Sequence, residues 1–583
     1  MVSTIEKLVE TIFVSNESPI DYRVPMEAGA IQVNTCTNSF CINFGIAPVN
    51  FNRAVKTKRE KDNSYIIVGV NKKRNNVLTK NRGLKCKACG RIVVIHSNQA
   101  CLEEKKRFLN SRSQQHSCRN KQCENHAFSI QENPSLYSKF GRSQRGSPRY
   151  RCKACKKTFS IPSGISHRLR KPEKTLEILR LLINKVPMRR ICEIADISPS
   201  LLYQRVDLIY DAFSKYSDHD KSLFSKYDSK LLHLCSDRQD ITLNWDTSLN
   251  RRTTVLKSIA TAEMKSGFVL AQHLNFDPSV NPIELELEAR EIGDPNLIAA
   301  YRRHARVWMP SDFRPEADID EESKTSKVFV NGAMIREIYT QYGHFLYLET
   351  ILRSVSELQF SIDPDSGMGR AVLASFKQRV LDRTLQACLV KIQKDLTVSK
   401  KKLLLSEADN FWESAQKSHP DIKDVELLEM VIRQQLENKD YQARAVSQRW
   451  IEHPLPSMNE PYRKVQLITH DDEGKSDKAL WAIARASLRS IDRYFMLVRR
   501  RLSLFERPIH SSSSANRAWH GYQAYNPHTA VKMLEIFRVV YNYHLAGTSK
   551  LTPAQKLGVL DKALTLEGLL DGDAINNSRK SNF

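Results

Sequence analysis

Long apolar runs are missing from this sequence of 583 residues: nothing approaches the roughly 20 uninterrupted apolar residues that a membrane-crossing helix needs. A basic start is missing too. The first residues, MVSTIEKLVETIFVSNE, carry acids where a secretion signal would carry lysine or arginine, so the chain is expected to stay in the cytoplasm. Cysteine is scarce beyond residue 155, where only Cys192, Cys235 and Cys388 remain; with Cys101 they read as ordinary small buried residues. The other eight fall in pairs within the first 155 residues, which in a reducing compartment favours bound metal over disulfides. Acid is in deficit, with 65 Asp plus Glu against 90 Lys plus Arg and a formal charge of +25. A polyanion, nucleic acid first, is the expected partner, the plainer alternative being a merely basic surface. This length also exceeds what one core supports, so several domains are expected.

The cysteines belong to an internal duplication. TCTNSFCINFGIAPV returns as SCRNKQCENHAFSI, and LKCKACGRIVVI returns as YRCKACKKTFSI. Each copy supplies a C-x4-C and a C-x2-C pair: Cys36 and Cys41 with Cys86 and Cys89, then Cys118 and Cys123 with Cys152 and Cys155. Two thiolates on one tight knuckle can take two corners of a tetrahedron about 2.3 Å from Zn2+, and the second knuckle completes it. Four thiolates leave no open position, so two structural zinc ribbons are expected, over 31–110 and 111–168, each too small to fold without its metal. His96, His116 and His126 lie near enough to replace one cysteine. The basic runs NKKRNNVLTKNRG (71–83) and GRSQRGSPRYR (141–151) read as loops, suited to phosphate contact or simply solvated.

Helical periodicity begins at about 169, with Leu176, Leu179, Leu182 and Ile183 three and four apart until Pro187 interrupts it. Ile191, Ile194 and Ala195 then share a face, a short turn follows, and Ser198 with Pro199 starts another helix. This predicts a helix-turn-helix over 169–218, with Ser200, Tyr203, Gln204 and Arg205 offered to base edges. A generic helical hairpin has the same spacing.

From 240 to 275 three β-rich stretches predict a meander. Thr242, Asn244 and Asp246 share one face of its first strand, and an acid inside an apolar strand needs a cation or donor, which makes Asp246 the first candidate ligand. Asp363 ends the short strand ELQFSI, with Asp365 as its alternative. Asp492 lies in the amphipathic segment SIDRYFMLVRRRLSLFERPI, with Glu506 as the alternative and the acids at 471–473 behind it. Arg499, Arg500 and Arg501 follow Asp492 and suit DNA phosphates. Three carboxylates from separate segments are what a pair of Mg2+ ions about 4 Å apart requires.

The series of C-x4-C knuckle, RYRCKACKKTFS, helix-turn-helix, strand Asp, RRRLSLFERPI, YNPHTAVKMLEIFRVVYNYHLAG and KLTPAQKLGVLDKAL resembles bacterial insertion-sequence transposases of the DDE superfamily, over roughly 36 to 565. The resemblance implies a multidomain α+β chain in which an RNase H-like catalytic domain spans 236–545, with helical insertions near 280–355 and 400–450. It also implies an N-terminal segment 1–30 and a tail 546–583. By the same resemblance Asp246, Asp363 and Asp492 bind Mg2+ and perform DNA cleavage and strand transfer. The partners are then double-stranded DNA, both element ends and target, and further copies of the chain, at the bacterial nucleoid. The family's third acid is commonly Glu, seven residues before an Arg, whereas here it is Asp492. The alternative is a zinc-ribbon and helix-turn-helix DNA-binding regulator, or a domesticated transposase that binds without cutting.

Overall fold

A computed structural model describes residues 23–49, 64–74, 77–110, 116–130, 133–143, 147–161, 171, 173–244, 253–312, 331–364, 367–393, 395–445, 448–469, 476–510, 518–519 and 521–572. It is a mixed α/β chain organised on a seven-stranded mixed sheet, preceded by two four-cysteine modules. No helix among the described residues is long and apolar enough to cross a membrane.

The two modules are built alike. In the first, β1 (Tyr65–Arg74), β2 (Val77–Cys86) and β3 (Ile92–Val94) form an antiparallel sheet; in the second, β4 (Tyr137–Arg142), β5 (Pro148–Cys152) and β6 (Thr158–Ser160) repeat it. The basic runs expected as loops therefore lie largely in strands. Residues 71–74 and 77–83 pair across the first hairpin, and 148–151 sit in β5, because each knuckle needs its third cysteine delivered at the end of an ordered strand.

The modules differ in what surrounds them. After the first comes helix α1 (Asn98–Leu109), whose Ala100, Cys101 and Phe108 belong to the main core along with Ile31, Val33 and Phe44. The second module closes on its own small cluster of Cys118, Ile130, Tyr137, Cys152 and Phe159.

Next come α2 (Glu173–Leu182), α3 (Met188–Ala195) and α4 (Pro199–Phe224). Pro187 precedes α3, and Asp196 ends it in the left-handed region at φ 51°; the Ser198 side chain then accepts the Leu201 N–H to start α4. Ile191 and Ala195 are fully buried where α3 meets its neighbours, but Ile194 is 58% exposed, so the buried stripe follows i and i+4 and leaves i+3 outside.

The sheet begins with β7 (Leu231–Leu243), β8 (Thr254–Glu263) and β9 (Val269–Leu274), an antiparallel meander. Its first strand starts nine residues before the predicted stretch at 240, since the polar LLHLCSDRQD pattern hides a buried strand. Helix α5 (Glu337–Ile351) is buried nearly all round and packs on β8 and β9 rather than standing out as an insertion. At Gly343 it crosses α1 so closely that a Cβ would stand 2.6 Å from Glu104 Cβ. Strands β10 (Glu357–Ile362) and β11 (Leu385–Ile392) add parallel to β7, then β13 (Arg463–Leu467) antiparallel, with β12 (Ile451–Glu452) at the edge; the order is β12-β13-β11-β10-β7-β8-β9. Between β11 and β12 stand α6 (Val398–Ser418) and α7 (Asp424–Glu437), the helical excursion expected near 400–450. Helix α8 (Asp477–Ala484) leads to α9 (Arg489–Arg501), which packs on β7 and β8, and α10 (Pro527–Tyr543) packs on α4 and β9.

The α4–α10 contact is polar at its centre. Arg538, 2% exposed, meets Asp220 at 2.7 Å and Glu535 at 2.8 Å, and Ser217 donates to Glu535 at 2.6 Å. Burial alone would discourage the Arg538 charge, but the two carboxylates more than offset it and hold its pKa above the ordinary arginine value. Removing one partner from such a pair costs roughly 3–5 kcal/mol, so the helices at 173–224 are fixed to the sheet body and not tethered to it.

Candidate functional site

Both cysteine sets converge, with their sulfur atoms all within 4.8 Å of one another in each group. Ligands 2.3 Å from a central zinc at tetrahedral angles stand about 3.8 Å apart. The observed contacts are 3.6 Å for Cys36–Cys89 and 3.6 Å for Cys41–Cys86, then 3.3 Å for Cys118–Cys155 and 3.8 Å for Cys123–Cys152. The groups therefore fit a four-coordinate metal, and zinc is the ion that four thiolates favour.

Further residues that cysteine spacing alone did not reveal repeat with the knuckles. In each module an Asn two places after the second cysteine donates to the third cysteine's sulfur: Asn43 to Cys86 and Asn125 to Cys152, both at 3.3 Å. A tyrosine closes each knuckle. Tyr65 Oη accepts the Cys36 N–H at 2.9 Å and lies within donating distance of the Asn43 and Ile46 carbonyls; Tyr137 Oη does the same with Cys118, Asn125 and Phe128. The signal was legible as C-x-N-x2-C-x-N in both copies. Burial opposes ionisation of Cys86 and Cys152, yet backbone N–H groups and the Asn side chains outweigh it and bring them down to about 7 and about 6. Burial and neighbouring thiols push Cys41 up to about 11 and Cys118 up to about 12, so four thiolates coexist only around a cation.

His126 Nδ1 lies 2.5 Å from the Cys118 carbonyl, and His96 packs against Tyr339 and Tyr342; neither histidine, nor His116, belongs to a converging group among the described residues. Cys101, Cys235 and Cys388 are buried with thiol pKa values pushed up by burial, whereas Cys192 is half-buried. Tyr137→Phe is expected to speed zinc loss from the second module to a chelator by about five-fold or more, since a buried donor left unpaired costs roughly 1–3 kcal/mol; release at the wild-type rate would refute the bracing role of the hydroxyl.

The acids are arranged by the sheet. Asp363 follows the last residue of β10, and its N–H donates to the Ser236 carbonyl of β7 at 3.2 Å, which places it beside Asp237. Asp237, 8% exposed in the middle of β7, was overlooked in the sequence. Asp246 lies outside the described residues, past Leu243 where β7 ends; Leu243 is six residues from Asp237, about 20 Å along a strand. Asp365 and residues 471–473 also lie outside them. Asp492 is half-buried in the first turn of α9, the helix that crosses β7 and β8.

Asp237 and Asp492 both act on two neighbouring side chains. Burial pushes the Cys235 thiol up, and Asp237 and Asp492 both add to that rise. Arg499, two turns after Asp492 and half-buried, has its pKa lowered by burial and by Arg507 while Asp492 and Asp237 oppose the fall. At least one pair of oxygens among Asp237, Asp363 and Asp492 lies beyond 4.8 Å, since the acids do not form a converging group. The start of α9 is pinned by Glu460, 3% exposed, which accepts from Ser487 Oγ at 2.8 Å and Leu488 N–H at 2.8 Å, while Ser490 Oγ donates to the Met264 carbonyl at 2.6 Å.

Glu506 goes elsewhere: its carboxylate pairs with Lys185 Nζ at 2.7 Å. Arg500 is exposed, and Arg501 donates to Asn184 at 3.2 Å, tying the end of α9 to the loop before α3. On α4, Ser200, Tyr203 and Gln204 are exposed. Arg205 is not available as a surface reader. It is 2% exposed, because Leu202, Arg205, Val206 and Ile209 fall at i, i+3, i+4 and i+7 on the inward face.

Comparison with protein-family models and with curated proteins finds no match to this chain.

Proposed function

We propose that the chain is a DNA transposase whose sheet is an RNase H-like catalytic unit, with Asp237, Asp363 and Asp492 as the metal-binding acids. The observation that carries the reading is the parallel pairing of β7 with β10. It sets Asp237 beside Asp363 at the end of β10, while α9 brings Asp492 across the same strand. The strand order β9-β8-β7-β10-β11, a meander followed by two parallel additions, is the arrangement expected of an RNase H-like core.

Three carboxylates supply hard oxygen donors of the kind Mg2+ takes. Bound there, such ions supply activation of the attacking oxygen and stabilisation of the leaving one. The chain's own residues do the positioning. Glu460 and Ser490 fix the start of α9 and with it Asp492. Arg499, on the same helix, offers a half-buried guanidinium suited to a phosphate oxygen. The exposed Ser200, Tyr203 and Gln204 at the start of α4 suit contacts to duplex DNA, and rigid attachment through Arg538 fixes that helix relative to the acids.

The test is incubation of the purified protein with DNA carrying the flanks of its own gene, with Mg2+ or with chelator, scored for nicks and joined products. Metal-dependent cleavage with joined products is expected. Binding without cleavage under every metal condition would favour a DNA-binding regulator. Affinity for that DNA should fall by orders of magnitude between about 50 and 200 mM salt if many phosphates are contacted, and a flat response would count against a phosphate-tracking surface.

A further inference from the structure

Phe140 is out of keeping with its surroundings. The second four-cysteine module packs its aromatic side chains Tyr137, Tyr150 and Phe159 together, with ring centroids 5.6 and 6.3 Å from Phe159. Phe140 is excluded from that cluster and is 46% exposed. A break in register between Lys139 and Arg142, with Gly141 at φ +70°, interrupts the β4–β5 ladder at this point. Such irregularities re-aim side chains.

Two guanidinium groups attend the ring, Arg149 at 5.6 Å and Arg151 at 5.8 Å from its centroid. Each is held: Arg149 donates to Thr158 Oγ1 at 3.1 Å, and Arg151 Nε to the Lys156 carbonyl at 3.2 Å. From 133 to 161 the sequence has eight Lys or Arg and no Asp or Glu, and Lys139, Arg142, Arg151, Lys153, Lys156 and Lys157 are exposed.

We infer that this face of the second module, with Phe140 beside Arg149 and Arg151, is a stacking platform for an unpaired base of a single nucleic-acid strand. The inference extends the nucleic-acid reading above. A duplex would satisfy the cations equally well through its phosphates, but its bases are closed to a ring lying on a β face, so the aromatic would contribute nothing. A single strand offers both a backbone for the cations and a π-face for the ring. In the first module Tyr65, Leu84 and Val93 pack instead with Ala300 and Tyr301.

The experiment measures anisotropy of a labelled oligonucleotide of about 20 nucleotides, single-stranded or annealed, with the full chain and no Mg2+. Phe140→Ala is expected to weaken single-strand binding about ten-fold or more, with duplex binding changed less than about two-fold. Phe140→Tyr should restore it, and Phe140→Leu, which keeps bulk without a π-face, should not. Arg149→Ala with Arg151→Ala should weaken both ligands and flatten the salt dependence. Equal losses on both ligands, no loss, or rescue by leucine would each overturn the platform. Zinc content and melting of every variant report the fold, and if Phe140→Ala loses metal the tyrosine and leucine variants decide. Strand cleavage plays no part in these measurements, so absence of Mg2+-dependent cutting would defeat the catalytic reading without touching this one.

Discussion

Asp237→Asn is expected to abolish Mg2+-dependent DNA cleavage, by about a thousand-fold or more, while leaving binding to the same DNA intact. An amide keeps the shape of the side chain but removes the charge that a divalent cation needs, and Asp237 sits where β7 and β10 bring two carboxylates into register. Asp246→Asn is the informative partner. If Asp237 is the first ligand, the Asp246 variant is expected to cut at close to the wild-type rate. Reversal of the two results would return the first ligand to position 246 and dismiss the role given to Asp237. Asp363→Asn and Asp492→Asn should match Asp237→Asn, and a variant of either that cleaved normally would remove that residue from the set.

The second large effect separates the metals expected in the two four-cysteine groups. Loss of the first, through Cys86→Ser, should lower the melting midpoint of the sheet body by about 10 °C or more, and Cys152→Ser should leave it nearly unchanged while halving the zinc content. The first module is built into the core. Asn98 donates to the Pro25 and Met26 carbonyls at 3.0 and 2.9 Å and accepts from Val33 N–H at 3.0 Å; Tyr339 Oη of α5 accepts the Ser97 N–H at 3.2 Å. Tyr301 Oη donates to the Arg23 carbonyl at 2.7 Å, and Arg23 reaches the Tyr65 carbonyl at 2.6 Å. Glu104 of α1, with no exposed side-chain surface, is met by Arg107 and by Arg306 at 2.7 Å. Buried charges of this kind are costly once one partner moves, so disordering the first knuckle propagates inward. The second module keeps its hydrophobic contacts to itself, and its unfolding stays local. Calorimetry with metal analysis reads both quantities, and equal falls in melting midpoint for the two variants would refute the division.

A related asymmetry concerns the helices at 173–224. Of the four residues expected to reach base edges, Ser200, Tyr203 and Gln204 are exposed and Arg205 is not. Helical geometry puts it a further hundred degrees or so round, on the face with Leu202, Val206 and Ile209.

The two converging four-cysteine sets were written in the sequence itself. Four thiolates at knuckle spacing, repeated in order, leave few arrangements other than two closed tetrahedra, because the spacing is local and the ligand geometry is fixed by the ion. Helix starts at Ser198 and Pro199, and the meander after 240, were legible for the same reason: capping and alternation act over a few residues. The proposed acid site was legible only in part. Asp363 was visible at a strand end and Asp492 on an amphipathic helix, but Asp237 is disguised by LLHLCSDRQD, where buried polar side chains break the apolar alternation. Which aspartate stands beside Asp363 depends on the register of two strands more than a hundred residues apart, and register is a property of the assembled sheet. The same holds for the modules. One duplicated sequence became a brace and an arm because α1 found Gly343 on α5 to pack against, a long-range contact that no spacing of cysteines encodes.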